Sequence, residues 1–91
     1  MIKDKKIAMI AGASSAISYK RIRPTAETEE VIRHVIKDID TKGENKIFGI
    51  AGASFVLKQI EKNHLISERE VIQNLTNETQ NIIRSIEESD I

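Results

Sequence analysis

The chain has 91 residues, of which 40% are hydrophobic and 31% charged, and its formal net charge is zero. This composition excludes a disordered chain, and the balanced charge argues against a general binder of nucleic acid or acidic lipid. With no cysteine, disulfides and thiolate metal sites are excluded. A single domain over residues 1–91 is expected, and seventeen isoleucines beside three aromatic residues indicate a core built on isoleucine.

The first predicted element is a helix over residues 4–21. Ile7, Ile10, Ser14 and Ile17 recur at the spacing of one helix face, which differs from the strict alternation of a half-buried strand. We therefore expect this face to point inward.

The same stretch permits two other interpretations. Residues 7–11 followed by Gly12 resemble the strand and glycine turn that open a short-chain dehydrogenase/reductase domain, which implies a nucleotide cofactor. Ala16 and Ser18 stand where later glycines of that family fall, and no Tyr-x-x-x-Lys pair follows. A cofactor-dependent enzyme therefore requires 7–11 to be a strand. Residues 1–16 mimic a signal peptide, but the apolar run is far shorter than the roughly 20 residues that span a bilayer.

The second predicted helix covers residues 26–40. Pro24 ends the first helix, and Thr25 is expected to cap the second, whose first turn carries glutamates that the helix dipole favours. Gly43 is expected to follow the C-terminal end of this helix. Its apolar stripe consists of Val31, Ile32, Val35, Ile36 and Ile39.

The third predicted helix, over residues 46–62, repeats the first at an offset of 40 residues. The sequence IAGAS at 10–14 recurs at 50–54, and an ungapped register with ten identities continues to residue 32 over residue 72. Self-similarity at a fixed period predicts a duplication, with halves 5–40 and 45–88. A segment that recurs in mid-chain is not expected to be a cleaved signal.

The fourth predicted helix covers residues 68–88. Ser67 and Glu70 form a capping box, and Ile66 and Val71 are placed as a hydrophobic staple. The apolar stripe consists of Val71, Ile72, Leu75, Thr79, Ile82, Ile83 and Ile86. The sequence therefore predicts an all-α, bundle-like fold in which four helices form two tandem αα-hairpins.

Glycines in mid-helix predict where the helices meet. A glycine there costs about 1 kcal/mol relative to alanine, but small side chains admit a neighbouring backbone. We expect the first and third helices to cross at these residues about a pseudo-twofold axis; alternatively, each glycine accommodates a bulky neighbour. The predicted crossing residues are Gly12, Ala13, Ala16, Gly52 and Ala53.

The two copies differ where Ala8 and Ser15 of the first become Phe48 and Phe55 of the second. The phenylalanines either fill space left by the small residues, or form with Ala51 an outward patch for self-association. We expect the outward patch, because isoleucine already fills the inward stripes.

No catalytic residue, metal site or cofactor is predicted. His34 and His64 lack a second ligand at a metal-site spacing, and no nucleophile has a neighbouring base. A basic cluster would suit an anion or nucleic acid, although cations at a helix C-terminus are also favourable when solvated. This cluster consists of Lys20, Arg21, Arg23 and Arg33.

The expected function is that of a small, cytoplasmic, non-catalytic helical protein that binds itself or another protein. The alternative is a small nucleic-acid-binding or regulatory module that uses the basic cluster.

Overall fold

The computed structural model describes residues 4–39 and 43–89. They form four α-helices, α1 (Lys5–Ile22), α2 (Thr28–Asp38), α3 (Glu44–Lys62) and α4 (Glu68–Ser89). The all-α prediction is confirmed, and residues 7–11 lie inside α1, so the strand that the dehydrogenase interpretation requires is not formed. Residue 40, where the second helix was expected to end, lies outside the described residues.

The helix starts depend on side chains that accept hydrogen bonds from free backbone N–H groups. The Asp4 carboxylate accepts from the backbone of Lys6 at 2.8 Å and of Ile7 at 3.2 Å. The Ser67 hydroxyl accepts from the Glu70 backbone at 3.1 Å, as half of a capping box does.

Thr25 does not cap α2, contrary to prediction. The backbone N–H of Ala26 donates to the Arg23 carbonyl at 3.0 Å, so Thr25 lies inside a turn. The residue that precedes α2 is Glu27, and its side chain makes no capping hydrogen bond.

Gly43 immediately precedes α3 and does not end α2, contrary to prediction. Its backbone has φ 63° and ψ −135°, a left-handed conformation that side chains with a Cβ rarely adopt. The second helix already ends at Asp38, followed by Ile39 in an extended conformation.

Helices α1 and α3 pack side by side in the same direction, because Lys5 at the start of α1 lies over Phe48 near the start of α3, and Arg21 near the end of α1 pairs with Glu68, shortly after the end of α3. A Cβ built on Gly12 would lie 2.6 Å from the Gly49 carbonyl carbon, and one on Gly52 would lie 2.8 Å from the Met9 carbonyl carbon. Met9 and Gly49 are themselves 40 positions apart, so each helix presents the same pair of positions to the other. The pair is therefore related by a pseudo-twofold axis along the bundle.

Helices α2 and α4 each pack against both members of this central pair but, among the described residues, not against each other. Hydrogen bonds of the two connections match at the same offset, for example Arg23 N to Tyr19 O at 2.8 Å and Asn63 N to Gln59 O at 3.1 Å. Two similar αα-hairpins result. Their origin by duplication stays a prediction.

Among the described residues, no fully buried side chain is an isoleucine, which differs from the expected isoleucine core. Ile17, Ile39 and Ile83 are buried with 7–9% exposure, and seven more isoleucines pack half-buried against the core. The largest fully buried side chains are Met9, Leu75, Val31, Val35, Val56 and Val71. The predicted stripe of α1 is also wrong in part, since Ile7 is 58% exposed and Ser14 is exposed.

Candidate interaction surfaces

The predicted crossing residues all lie in the interior. Gly12 and Gly52 are buried against backbone of the opposite helix, and the alanines beside them are wholly buried. Because no side chain separates the two backbones, these residues serve packing and are not accessible to a partner. The alanines are Ala13, Ala16 and Ala53.

Phe48 does not lie on the surface, which corrects the expected outward patch. Only 2% of this side chain is exposed. The Lys5 ammonium lies 5.4 Å from the ring centroid and pairs with Glu87 at 2.6 Å, so the ring is near the end of α4. Helix α4 is longer than α2 (22 residues against 11), and Glu87, which pairs with Lys5 beside the ring, lies in its last turns. Phe55 is half-buried against the core.

Two apolar stripes do lie on the surface, one on the outer side of each central helix. In α1 the stripe contains Ile7, Ile10 and Ala11, which with Lys6 line a shallow apolar depression. Its α3 equivalent contains Ile47, Ile50 and Ala51. Ile7 is 58% and Ile47 50% exposed, and the other four are half-buried. We refer to these as the α1 stripe and the α3 stripe.

The three arginines of the predicted basic cluster pair with carboxylates of the same chain. Arg21 bridges α1 to Glu68 at the start of α4. Arg23 pairs with Glu30 at 3.2 Å. The Arg33–Glu29 pair is longer, at 3.8 Å.

Lys20, the fourth member, donates to backbone carbonyls of the turn that follows α1. Its ammonium lies 2.9 Å from the Pro24 oxygen and 2.8 Å from the Ala26 oxygen. The cluster is therefore divided among separate intramolecular partners, and no converging set of free cations faces outward for phosphate.

A polar cluster that the sequence did not predict joins α1 to α2. The Tyr19 hydroxyl donates to the Glu30 carboxylate, and its ring stacks on His34 with centroids 4.4 Å apart. The Glu30 hydrogen bond raises the pKa of Tyr19, with burial and the Glu30 charge adding to the effect, while Arg23 opposes it. At the equivalent positions of the second hairpin, Asn74 donates to Gln59 at 3.0 Å.

A groove with a volume of about 750 Å³ lies between the start of α2 and the second half of α3. We call it the α2–α3 groove. Its apolar surface includes Ala26, Leu57 and Ile60, and its carboxylates are Glu27, Glu29 and Glu61. Lys20, Pro24, Thr28 and His64 complete the lining.

No known protein family, curated protein or solved structure matches this chain. The fold and the surfaces above are therefore the basis for any inference about function.

The contacts seen at these surfaces are hydrogen bonds, charge pairs and apolar contacts. Within residues 4–39 and 43–89, no three His, Cys, Asp or Glu side chains are grouped so that they could hold a metal ion. In the same residues, no helix combines the length and apolar character needed to cross a membrane. His34 is stacked on Tyr19, whereas His64 is exposed at the edge of the α2–α3 groove.

Proposed function

We propose that this protein is a non-catalytic helical module that associates with a second copy of itself through the stripes on its central helices. The observation that carries the proposal is the exposure of large aliphatic side chains at equivalent places in both halves. Ile7 is 58% and Ile47 50% exposed, although either position could hold a charged residue without disturbing the core.

The composition of the stripes supports a helix-to-helix contact. Each stripe has two isoleucines followed by an alanine, Ala11 in α1 and Ala51 in α3. A small residue beside larger ones lets another helix approach closely while the isoleucines pack next to the contact. Contiguous apolar surface on a small soluble domain marks an interaction site more often than an isolated exposed side chain does.

The two stripes differ in what lies one to two turns further along each helix. The α1 stripe continues to Ser18, whereas the α3 stripe continues to Lys58, and both residues are exposed. A lysine at the border must keep its charge hydrated, which disfavours burial of that end of the stripe. We therefore propose that the α1 stripe forms the stronger contact, giving a symmetric dimer.

Sedimentation velocity across a concentration series tests this function. Wild-type protein is expected to associate, and Ile7→Lys is expected to weaken the association more than Ile47→Lys. Neither variant should lose helicity, because both side chains are at least half exposed. The matched control is Ile22→Lys, which adds the same charge at a position that is 78% exposed on the same helix.

A wild-type protein that remains monomeric at millimolar concentration contradicts the proposal. So does an Ile7→Lys, Ile47→Lys double variant that is folded and still associates as the wild type does.

A further inference from the structure

The residues that line the α2–α3 groove have equivalents, at an offset of 40, at the start of α4 and the end of α1, and the two sets differ in charge. Adding or subtracting 40 converts each lining residue into its counterpart. The three glutamates of the groove correspond to Ser67, Arg69 and Arg21. One side of the molecule is therefore acidic where the other is basic or neutral.

The two sides also differ in whether a salt bridge connects the helices that border them. Across the α4–α1 side, Arg21 reaches Glu68 and forms a salt bridge. The equivalent pair in the α2–α3 groove is Glu61 and Thr28, which both line it. A glutamate and a threonine cannot form a salt bridge. The α2–α3 groove therefore lacks an interaction equivalent to the Arg21–Glu68 salt bridge between α1 and α4.

The cations near the groove do not turn it into an anion site. The ammonium of Lys20 is directed to the Pro24 and Ala26 carbonyls, and Arg33 pairs with Glu29 at 3.8 Å. The first turn of α2, which would otherwise favour an anion, carries Glu29 and Glu30. A negatively charged ligand would face Glu27, Glu29 and Glu61 together.

We infer that the α2–α3 groove is a docking site for a basic amphipathic segment of a partner protein. Lysine or arginine side chains of that segment would pair with Glu27, Glu29 and Glu61. Its leucine- or isoleucine-type side chains would cover Ile60, which is half-buried, and contact the small exposed parts of Ala26 and Leu57. Apolar anchors give affinity, and complementary charge selects the partner and its orientation.

Transfer of the salt bridge from the opposite side tests the inference. Thr28→Glu combined with Glu61→Arg copies the Arg21–Glu68 pair into the groove, so the variant should fold while a salt bridge spans the groove. Thr28→Glu adds one carboxylate and Glu61→Arg replaces another by a cation, so the net charge of the groove becomes more positive by one. The probe is a synthetic amphipathic peptide of leucine and lysine, about 15 residues long so that it can form a helix. Titration by fluorescence anisotropy gives the affinity.

Wild-type protein should bind the leucine–lysine peptide, and bind it less tightly as salt concentration rises. A leucine–glutamate peptide of the same pattern should not bind. The double variant should bind the leucine–lysine peptide at least about tenfold more weakly. Glu88→Gln is the control, because it makes the same net change of one charge at the far end of α4 and should leave the affinity unchanged.

Equal binding by wild type and double variant overturns the inference, as does the absence of wild-type binding at millimolar peptide. An equal loss of affinity in Glu88→Gln also overturns it, because net charge alone would then explain the binding. If the double variant instead changes the sedimentation of the protein, a second copy occupies the groove and the basic-segment assignment is wrong. Ile7→Lys should still bind the peptide, which separates this site from the proposed dimer contact.

Discussion

At the scale of single residues, the helical glycines are not equivalent, although all three are buried. Gly12 and Gly52 face backbone of the opposite helix, which cannot move without separating the helices. Gly49 faces the Cδ1 atom of Ile39, where a Cβ would lie at 2.5 Å. The end of an isoleucine side chain can change rotamer, so only the first two positions strictly exclude a side chain.

Alanine substitutions should separate these cases. Gly12→Ala and Gly52→Ala are each expected to destabilise the fold by about 1–3 kcal/mol, because overpacking exceeds the helix-propensity gain of about 1 kcal/mol. If Gly52 faced solvent, Gly52→Ala would stabilise the fold through the higher helix propensity of alanine. Because Gly52 lies against the Met9 backbone, we do not expect this stabilisation. Gly49→Ala should be close to neutral. Urea unfolding measures all three, and equal effects at Gly12 and Gly49 would contradict the close backbone contact.

Tyr19 provides a spectroscopic test of the polar cluster. It is the one tyrosine of a chain without tryptophan, so ultraviolet absorbance during an alkaline titration reports its ionisation alone. The Glu30 hydrogen bond raises the pKa of Tyr19 above the ordinary tyrosine value, and Glu30→Gln should lower it. Glu29→Gln, which removes the neighbouring carboxylate that pairs with Arg33, is the control.

The direction of the shift also determines the effect of pH on stability. Because the folded state holds the Tyr19 proton more tightly than the unfolded chain, the hydrogen bond stabilises the fold below the ordinary tyrosine pKa. That contribution is lost as the pH rises through the raised pKa of the folded state. A wild-type titration midpoint at or below that of unfolded protein would contradict the contact with Glu30.

At the scale of helices, the two hairpins differ most in how their second helices begin. Ser67 accepts a hydrogen bond from the Glu70 backbone, whereas its equivalent, Glu27, makes no capping bond. The difference follows from side-chain length, because a serine oxygen lies close enough to the backbone N–H groups and a glutamate carboxylate extends past them.

Exchange of these caps should therefore change stability in opposite directions. Ser67→Ala is expected to cost about 1 kcal/mol, and Glu27→Ser to stabilise by a similar amount at most. For a domain of this size, 1 kcal/mol corresponds to a shift in Tm of about 4–8 °C. Thermal unfolding followed by circular dichroism measures both, and a destabilised Glu27→Ser protein would mean that the Glu27 side chain has another stabilising role.

At the scale of the whole molecule, the pseudo-twofold arrangement governs the interior and is broken at the surface. The central pair has equivalent contacts in both directions, Gly12 with Gly49 and Gly52 with Met9. Charges around the bundle do not follow this symmetry, since Glu61 stands where the first half has Arg21. Surface residues can differ because they are not required for packing, and these differences make the two sides chemically distinct.

The sequence alone was sufficient to predict the four helices, because each has apolar residues at helical spacing, although the signals assigned to the ends of α2, Thr25 and Gly43, were wrong. It was also sufficient to identify Gly12 and Gly52 as unusual, since two mid-helix glycines in equivalent registers carry a cost that packing must offset. These features are local, or depend on comparison of one segment of the chain with another.

Only the tertiary structure decided which face of each central helix is inside. Isoleucine spacing predicted that Ile7 points inward, yet it is 58% exposed, because the close approach of α1 and α3 requires the small residues at the contact. The same applies to Phe48, which was expected on the surface and is only 2% exposed. Helical periodicity places residues on a common face, but which face is buried depends on the distance and position of neighbouring helices, and those are properties of the assembled bundle.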